Sequence, residues 1–103
     1  EKFSIVGIIG GNNEERIVEI NDYPIDVVIS ENMLLVENND VPGVIGNVGR
    51  ILGEEQVNIA TMHVGRKENS AIMLLTVDDA VEEKSIKKLE EFEQIRKVKY
   101  LNL

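Results

Sequence analysis

Residues Asn38–Asn58, NNDVPGVIGNVGRILGEEQVN, decide how this chain folds. Just before them, Leu34, Leu35 and Val36 form an apolar run that reads as strand. Asn38, Asn39 and Asp40 break that run with side chains that favour turns and helix starts. Pro42 stands where a first helical residue belongs, because it has no N–H to leave unpaired and its φ is already set. Asp40 is the expected cap for the free N–H groups that follow. Val44, Ile45, Val48, Ile51 and Leu52 recur at helical spacing and predict a helix over Pro42–Leu52. Gly53 is the expected stop, and Val57-Asn58-Ile59 starts the next strand.

This arrangement has a simple chemistry. A helix N-terminus presents unpaired N–H groups and partial positive charge, which suit a carboxylate or a phosphate. Asp40 beside it offers the opposite charge, suited to an ammonium group, and Asn58 offers an amide that donates and accepts. Together they could grip both ends of a free amino acid. The plainer reading is that Asp40 only caps the helix and Asn58 only ends a turn.

Working outward towards the N-terminus, Phe3–Ile9 and Arg16–Ile20 read as two strands joined through Gly10-Gly11-Asn12-Asn13 as a hairpin. Asn21-Asp22-Tyr23-Pro24 reads as a turn and Ile25–Ile29 as a third strand. No helix cap followed by an apolar stripe occurs in this front third, so it reads as all-β. Gly10-Gly11 lacks the following helix and Lys of a phosphate loop.

Working outward the other way, strand Met33–Glu37 feeds the helix, and strand Val57–Arg66 follows it. The turn Lys67–Ser70 joins that strand to Ala71–Val77 as an antiparallel hairpin. A second helix is expected over Glu82–Phe92, with Ile86, Leu89 and Phe92 inward and acidic residues in its first turn. Ile95–Leu103 is a last strand. Strand, helix, strand, strand, helix, strand is the split β-α-β order of an α+β, ferredoxin-like βαββαβ fold. Right-handed crossovers place both helices on one sheet face. The run Ile72–Val77, IMLLTV, alternates poorly, so the other face needs cover from the front hairpin or from a second copy.

Composition narrows the function. The 103 residues suffice for one small domain, and with only 4% aromatics its core must be Ile, Val, Leu and Met. A net charge of −8 argues against nucleic acid and against an anionic membrane surface. The absence of cysteine excludes disulfides, thiol catalysis and cysteine metal sites. No apolar run is long enough to span a bilayer, and the first residues are no secretory signal, so a soluble cytoplasmic protein is expected. Glu1 is no natural initiator, and the chain reads as a piece of something longer.

The remaining candidates are weaker. His63, the single histidine, has no nucleophile or orienting partner near it in sequence and reads as a half-exposed strand residue. Gly43, Gly46 and Gly49 lie along one side of the first helix without the dinucleotide fingerprint, and they read as clearance for packing or for a ligand. Arg66-Lys67 reads as a solvated charge pair rather than an anion site. Asp78-Asp79 and Glu82-Glu83 read as helix-start residues rather than metal ligands.

The run Asp40-Val41-Pro42-Gly43-Val44-Ile45-Gly46, followed by Gly53 and Val57-Asn58-Ile59, resembles the ACT domain, a small-molecule-binding regulatory module. RIVEINDYPIDV over Arg16–Val27 and NIATMHVGRK over Asn58–Lys67 further resemble the C-terminal region of the bacterial D-3-phosphoglycerate dehydrogenase family. The beta chain of iron–sulfur L-serine dehydratases is similar to a lesser degree. On the first resemblance, residues 1–31 are the tail of a preceding substrate-binding domain and 32–103 the ACT regulatory domain.

The resemblance implies feedback control of L-serine biosynthesis by L-serine bound between two ACT domains of a homo-dimer or larger homo-oligomer. It implies NAD as cofactor of the parent enzyme and none in this piece, which shows no catalytic constellation of its own. The positions it carries over as effector contacts are Asn38, Asp40 and Asn58, with the backbone of Val41, Pro42, Gly43 and Val44 receiving the carboxylate. One well-known family pattern has His and Asn where this sequence has Asn38 and Asp40. Asn38 still hydrogen-bonds, and Asp40 still suits an ammonium group.

Overall fold

A computed structural model describes residues 4–103. Strands β1 (Ile5–Ile9), β2 (Glu15–Ile20) and β3 (Tyr23–Val28) form one antiparallel sheet in that order. The chain continues as β4 (Asn32–Asn39), α1 (Val44–Glu54), β5 (Ile59–Lys67), β6 (Ser70–Val77), α2 (Glu83–Glu90) and β7 (Ile95–Asn102). Its four strands form a second antiparallel sheet, ordered β5-β6-β4-β7. This is the expected α+β, ferredoxin-like βαββαβ unit, with a short all-β segment ahead of it. Phe3, expected to open the first strand, lies outside the described residues.

Several boundaries differ from expectation for local reasons. The turn between β2 and β3 is only Asn21-Asp22, with φ of 48° and 69°. Two consecutive positive φ values match the right-handed twist of the strands they join, so Tyr23 and Pro24 can already pair. Likewise the β5–β6 turn is Glu68-Asn69, and Lys67 pairs with Ser70. The asparagines were expected to end β4, yet it continues through Asn39. Asn38 pairs with Ala71 on one side and Ile95 on the other, and a central strand overrides a local turn preference.

Helix α1 begins two residues after Pro42, not at it. Its N-cap is Gly43, at φ 91°, a left-handed conformation open to glycine. Asp40 makes no cap hydrogen bond, because its carboxylate turns towards Arg66. Nor does Gly53 stop the helix. Gln56 takes the left-handed position at φ 62°. Its N–H donates to Gly53 O at 3.0 Å, and Val57 N–H donates to Leu52 O at 2.8 Å. These two bonds make a Schellman cap, and Val57 packs on the core containing Leu52. Helix α2 is shorter than expected, with Glu82 as its N-cap. Phe92 lies past its end but still packs on the core.

Two cores share the central strands. Leu34 and Val36 of β4, with Met73 and Leu75 of β6, face α1 and α2 and meet Val44, Val48, Leu52 and Leu89. Their neighbours Met33, Leu35, Ile72 and Leu74 face the other way, onto Ile17, Ile20, Ile25 and Val27 of the front sheet. IMLLTV lacks alternation because both of its faces are covered, and the front sheet is the cover. Each such buried side chain contributes about 1.5–3 kcal/mol relative to exposure. Strand β3 crosses β5 closely: a Cβ on Gly65 would stand 2.5 Å from the Pro24 carbonyl oxygen. Among the described residues, no helix is long and apolar enough to cross a membrane.

Candidate functional site

Where β4 ends and α1 begins, a cleft of about 370 Å³ opens. Asn38, Asp40, Val41, Pro42, Gly43 and Val44 all line it, so six of the seven residues picked from sequence come together. Ile45, Val64, Arg66, Ala71 and Met73 complete the lining.

Pairing register makes this cleft. Asn38 lies beside Ala71 on β6, and Ala71 lies beside Arg66 on β5. The small methyl of Ala71 leaves open floor between two polar side chains, and Val64 and Met73 form the next row. Helix α1 closes one wall with Val44, which is buried, and Ile45, which is exposed.

Asn38 is 4% exposed. Its Nδ2 donates to Asn39 O at 2.8 Å, and its Oδ1 accepts nothing. Among the described residues it is the buried side-chain polar atom without a partner. Leaving a buried acceptor unpaired costs about 1–3 kcal/mol, so this oxygen is suited to accept from a donor in the cleft.

The charges in the cleft are of both signs. Asp40 Oδ1 lies 3.5 Å from Arg66 Nε, a loose pair in which the guanidinium side chain is 67% exposed and the carboxylate side chain 32%. The Asp40 main chain is firmly placed: its N–H donates to Asn69 O at 3.0 Å. Asn39 beside it accepts from Arg96 Nε at 2.7 Å and donates to Gln94 at 2.8 Å. Not all four main-chain positions expected to hold a carboxylate can do so. Val41 N–H already donates to Asn39 O at 3.0 Å, and Pro42 has none. Gly43 and Val44 remain, with the first-turn N–H of Ile45, which helix geometry leaves without an intrahelical partner.

Asn58 stands apart. It lies at the far end of α1, roughly 16 Å along an 11-residue helix. There its Nδ2 donates to Asp78 Oδ2 at 2.6 Å. It faces a different cleft, with Glu55, Asp79, Glu82 and Ser85. A ligand in the first cleft cannot touch Asn58 of the same chain.

Sequence reading set Arg66 aside as half of a solvated charge pair and did not pick out Val64, Ala71 or Met73. They are brought in by strand register, and the usable signal was the hairpin itself: once Lys67 pairs with Ser70, Arg66 must lie beside Ala71. His63 is half-buried at a separate cleft between β3 and β5, near Arg16, Thr61 and Thr76. The Thr61 and Thr76 hydroxyls bond each other at 2.6 Å. Among the described residues no group of three or more His, Asp or Glu side chains is placed to hold a metal ion.

The model of the ACT domain family matches residues 32–94, the unit that carries this cleft. The chain is 47% identical over 91 residues, 86% of its length, to D-3-phosphoglycerate dehydrogenase of Bacillus subtilis, and covers 17% of that protein. It is 40% identical over 105 residues, its whole length, to the D-3-phosphoglycerate dehydrogenase of Methanocaldococcus jannaschii, and covers 20% of it. A lesser similarity, 27% over 77 residues, links it to the probable L-serine dehydratase beta chain of Bacillus subtilis. The chain thus spans about a fifth of the length of the dehydrogenases it matches. From the matched family model, the strand order and the Asp40–Gly46 helix entrance together, the chain belongs to the ACT domain family.

Proposed function

We propose that this chain is the amino-acid-sensing regulatory unit of an NAD-dependent D-3-phosphoglycerate dehydrogenase, with L-serine as its effector, and that it gives feedback control of L-serine biosynthesis in the cytoplasm. Residues 32–103 are the sensor, and residues 1–31 are the tail of the domain that precedes it. The observation that carries this reading is the buried, unpartnered Asn38 Oδ1 inside a small cleft of mixed charge. An ammonium group supplies the missing donor, with Asp40 as its counter-charge. The N–H groups of Gly43 and Val44 receive the carboxylate. Asn58 acts on the effector held by a second copy, since its own chain's cleft is out of reach. Occupancy then biases how the copies pack, and through them the parent enzyme.

A second reading, a purely structural assembly domain, is favoured by the apolar rim of the cleft. Val41, Ile45 and Val64 are 43%, 47% and 38% exposed. Calorimetric titration of the 103-residue chain with L-serine separates the two. The sensor reading expects saturable heat, and affinity falling tenfold or more in Asn38→Ala and Asp40→Ala. A dimer that gives no heat with serine leaves only the assembly role.

A further inference from the structure

We propose that Arg66 is the residue that makes this cleft select an amino acid over an amine, by exchanging its partner from Asp40 to the carboxylate of the incoming molecule. The inference rests on the sensor reading above and adds a residue and a charge-exchange step to it.

Arg66 stands beside Asp40, where the proposed ligand's ammonium group has to go. Its Nε is 3.5 Å from Asp40 Oδ1, beyond ordinary hydrogen-bond length, so the contact is a long-range ion pair and easily given up. The Arg66 side chain is 67% exposed, so solvent already screens its pairing with this carboxylate. Across the Ala71 floor lies the unpaired Asn38 Oδ1. An entering ammonium group satisfies Asn38 and Asp40 together and displaces the guanidinium. The displaced Arg66 then lies on the same side of the cleft as the α1 entrance, beside the carboxylate that accompanies that ammonium. A guanidinium presents a planar fork of donors that matches a carboxylate.

The same step supplies discrimination. A ligand with an ammonium group and no carboxylate satisfies Asn38 but leaves Arg66 without the partner it has just lost. A carboxylate without an ammonium group gains Arg66 but leaves both Asn38 Oδ1 and Asp40 unpaired. Only a molecule that carries both groups on one carbon completes the exchange, so each single-ended analogue is penalised by an unpaired group.

The test compares L-serine with L-serinamide, which keeps the ammonium and hydroxyl groups but has no negative charge. Both are titrated into the wild-type chain and into Arg66→Gln and Arg66→Met, with circular dichroism to verify folding. Wild type is expected to prefer serine by tenfold or more. Both variants are expected to lose that preference by weakening serine about tenfold, with serinamide affinity unchanged or improved because Asp40 is freed. A variant that folds and keeps the wild-type preference overturns the role of Arg66 and leaves the sensor reading standing. Wild type that binds neither compound overturns the sensor reading itself, and this inference with it.

Discussion

Gln56 holds a backbone position usually given to glycine. At φ 62° its Cβ is crowded, yet the two Schellman hydrogen bonds and the burial of Val57 keep it there. Gln56→Gly is expected to raise stability by roughly 0.5–1 kcal/mol, read as a higher urea midpoint at unchanged slope. A lower midpoint means that the Gln56 side chain holds the cap through contacts of its own. At this scale the sequence was partly legible. Asp40 could be singled out because it precedes a proline-glycine helix entrance, and Asn38 because the resemblance to the ACT domain carries it over. Arg66 was set aside as solvated, because its place in the cleft comes from lying across Ala71 from Asn38, and register is a property of pairs of strands. Gly53 misled for a related reason: a glycine at a helix end looks like a stop, but the left-handed residue came three positions later.

Elements were easier to read than their ends. The apolar spacing from Val44 to Leu52 located α1, and its buried residues are Val44, Val48, Ile51 and Leu52, with Ile45 left outside. The glycines of α1 tell a different story. A methyl group at Gly46, Gly49 or Gly53 would meet nothing within 4 Å, so no close contact inside the chain requires them. Replacing Gly46 and Gly49 by alanine is expected to stabilise the isolated chain by about 0.5–1 kcal/mol each, measured by urea unfolding at low protein concentration. If the double variant is no more stable, α1 is packed against another molecule in solution, and the glycines serve that contact. The hairpin of β5 and β6 was legible from its short connection. The extension of β4 through Asn39 was not, because it depends on Ser70 and Ile95 neighbours that only the assembled sheet provides.

For the whole molecule, the split β-α-β order and the need to cover the second sheet face could both be read from sequence. The identity of the cover could not, since a front hairpin and a second copy satisfy IMLLTV equally well. The front sheet covers it, and its closest approach is the Pro24 carbonyl over Gly65. Because β4 and β6 belong to both cores, heating is expected to give one cooperative calorimetric transition. Gly65→Ala is expected to move it down without dividing it, at about 1–3 kcal/mol. Two resolved peaks in either protein mean that the front sheet melts on its own. Strand β4 also has an asymmetry: its last turn of chain meets the cleft at Asn38, while Met33 and Leu35 on its reverse side bear the front sheet. One rod thus borders the cleft and carries the load of the opposite flank, so a guest that shifted it is expected to disturb both at once.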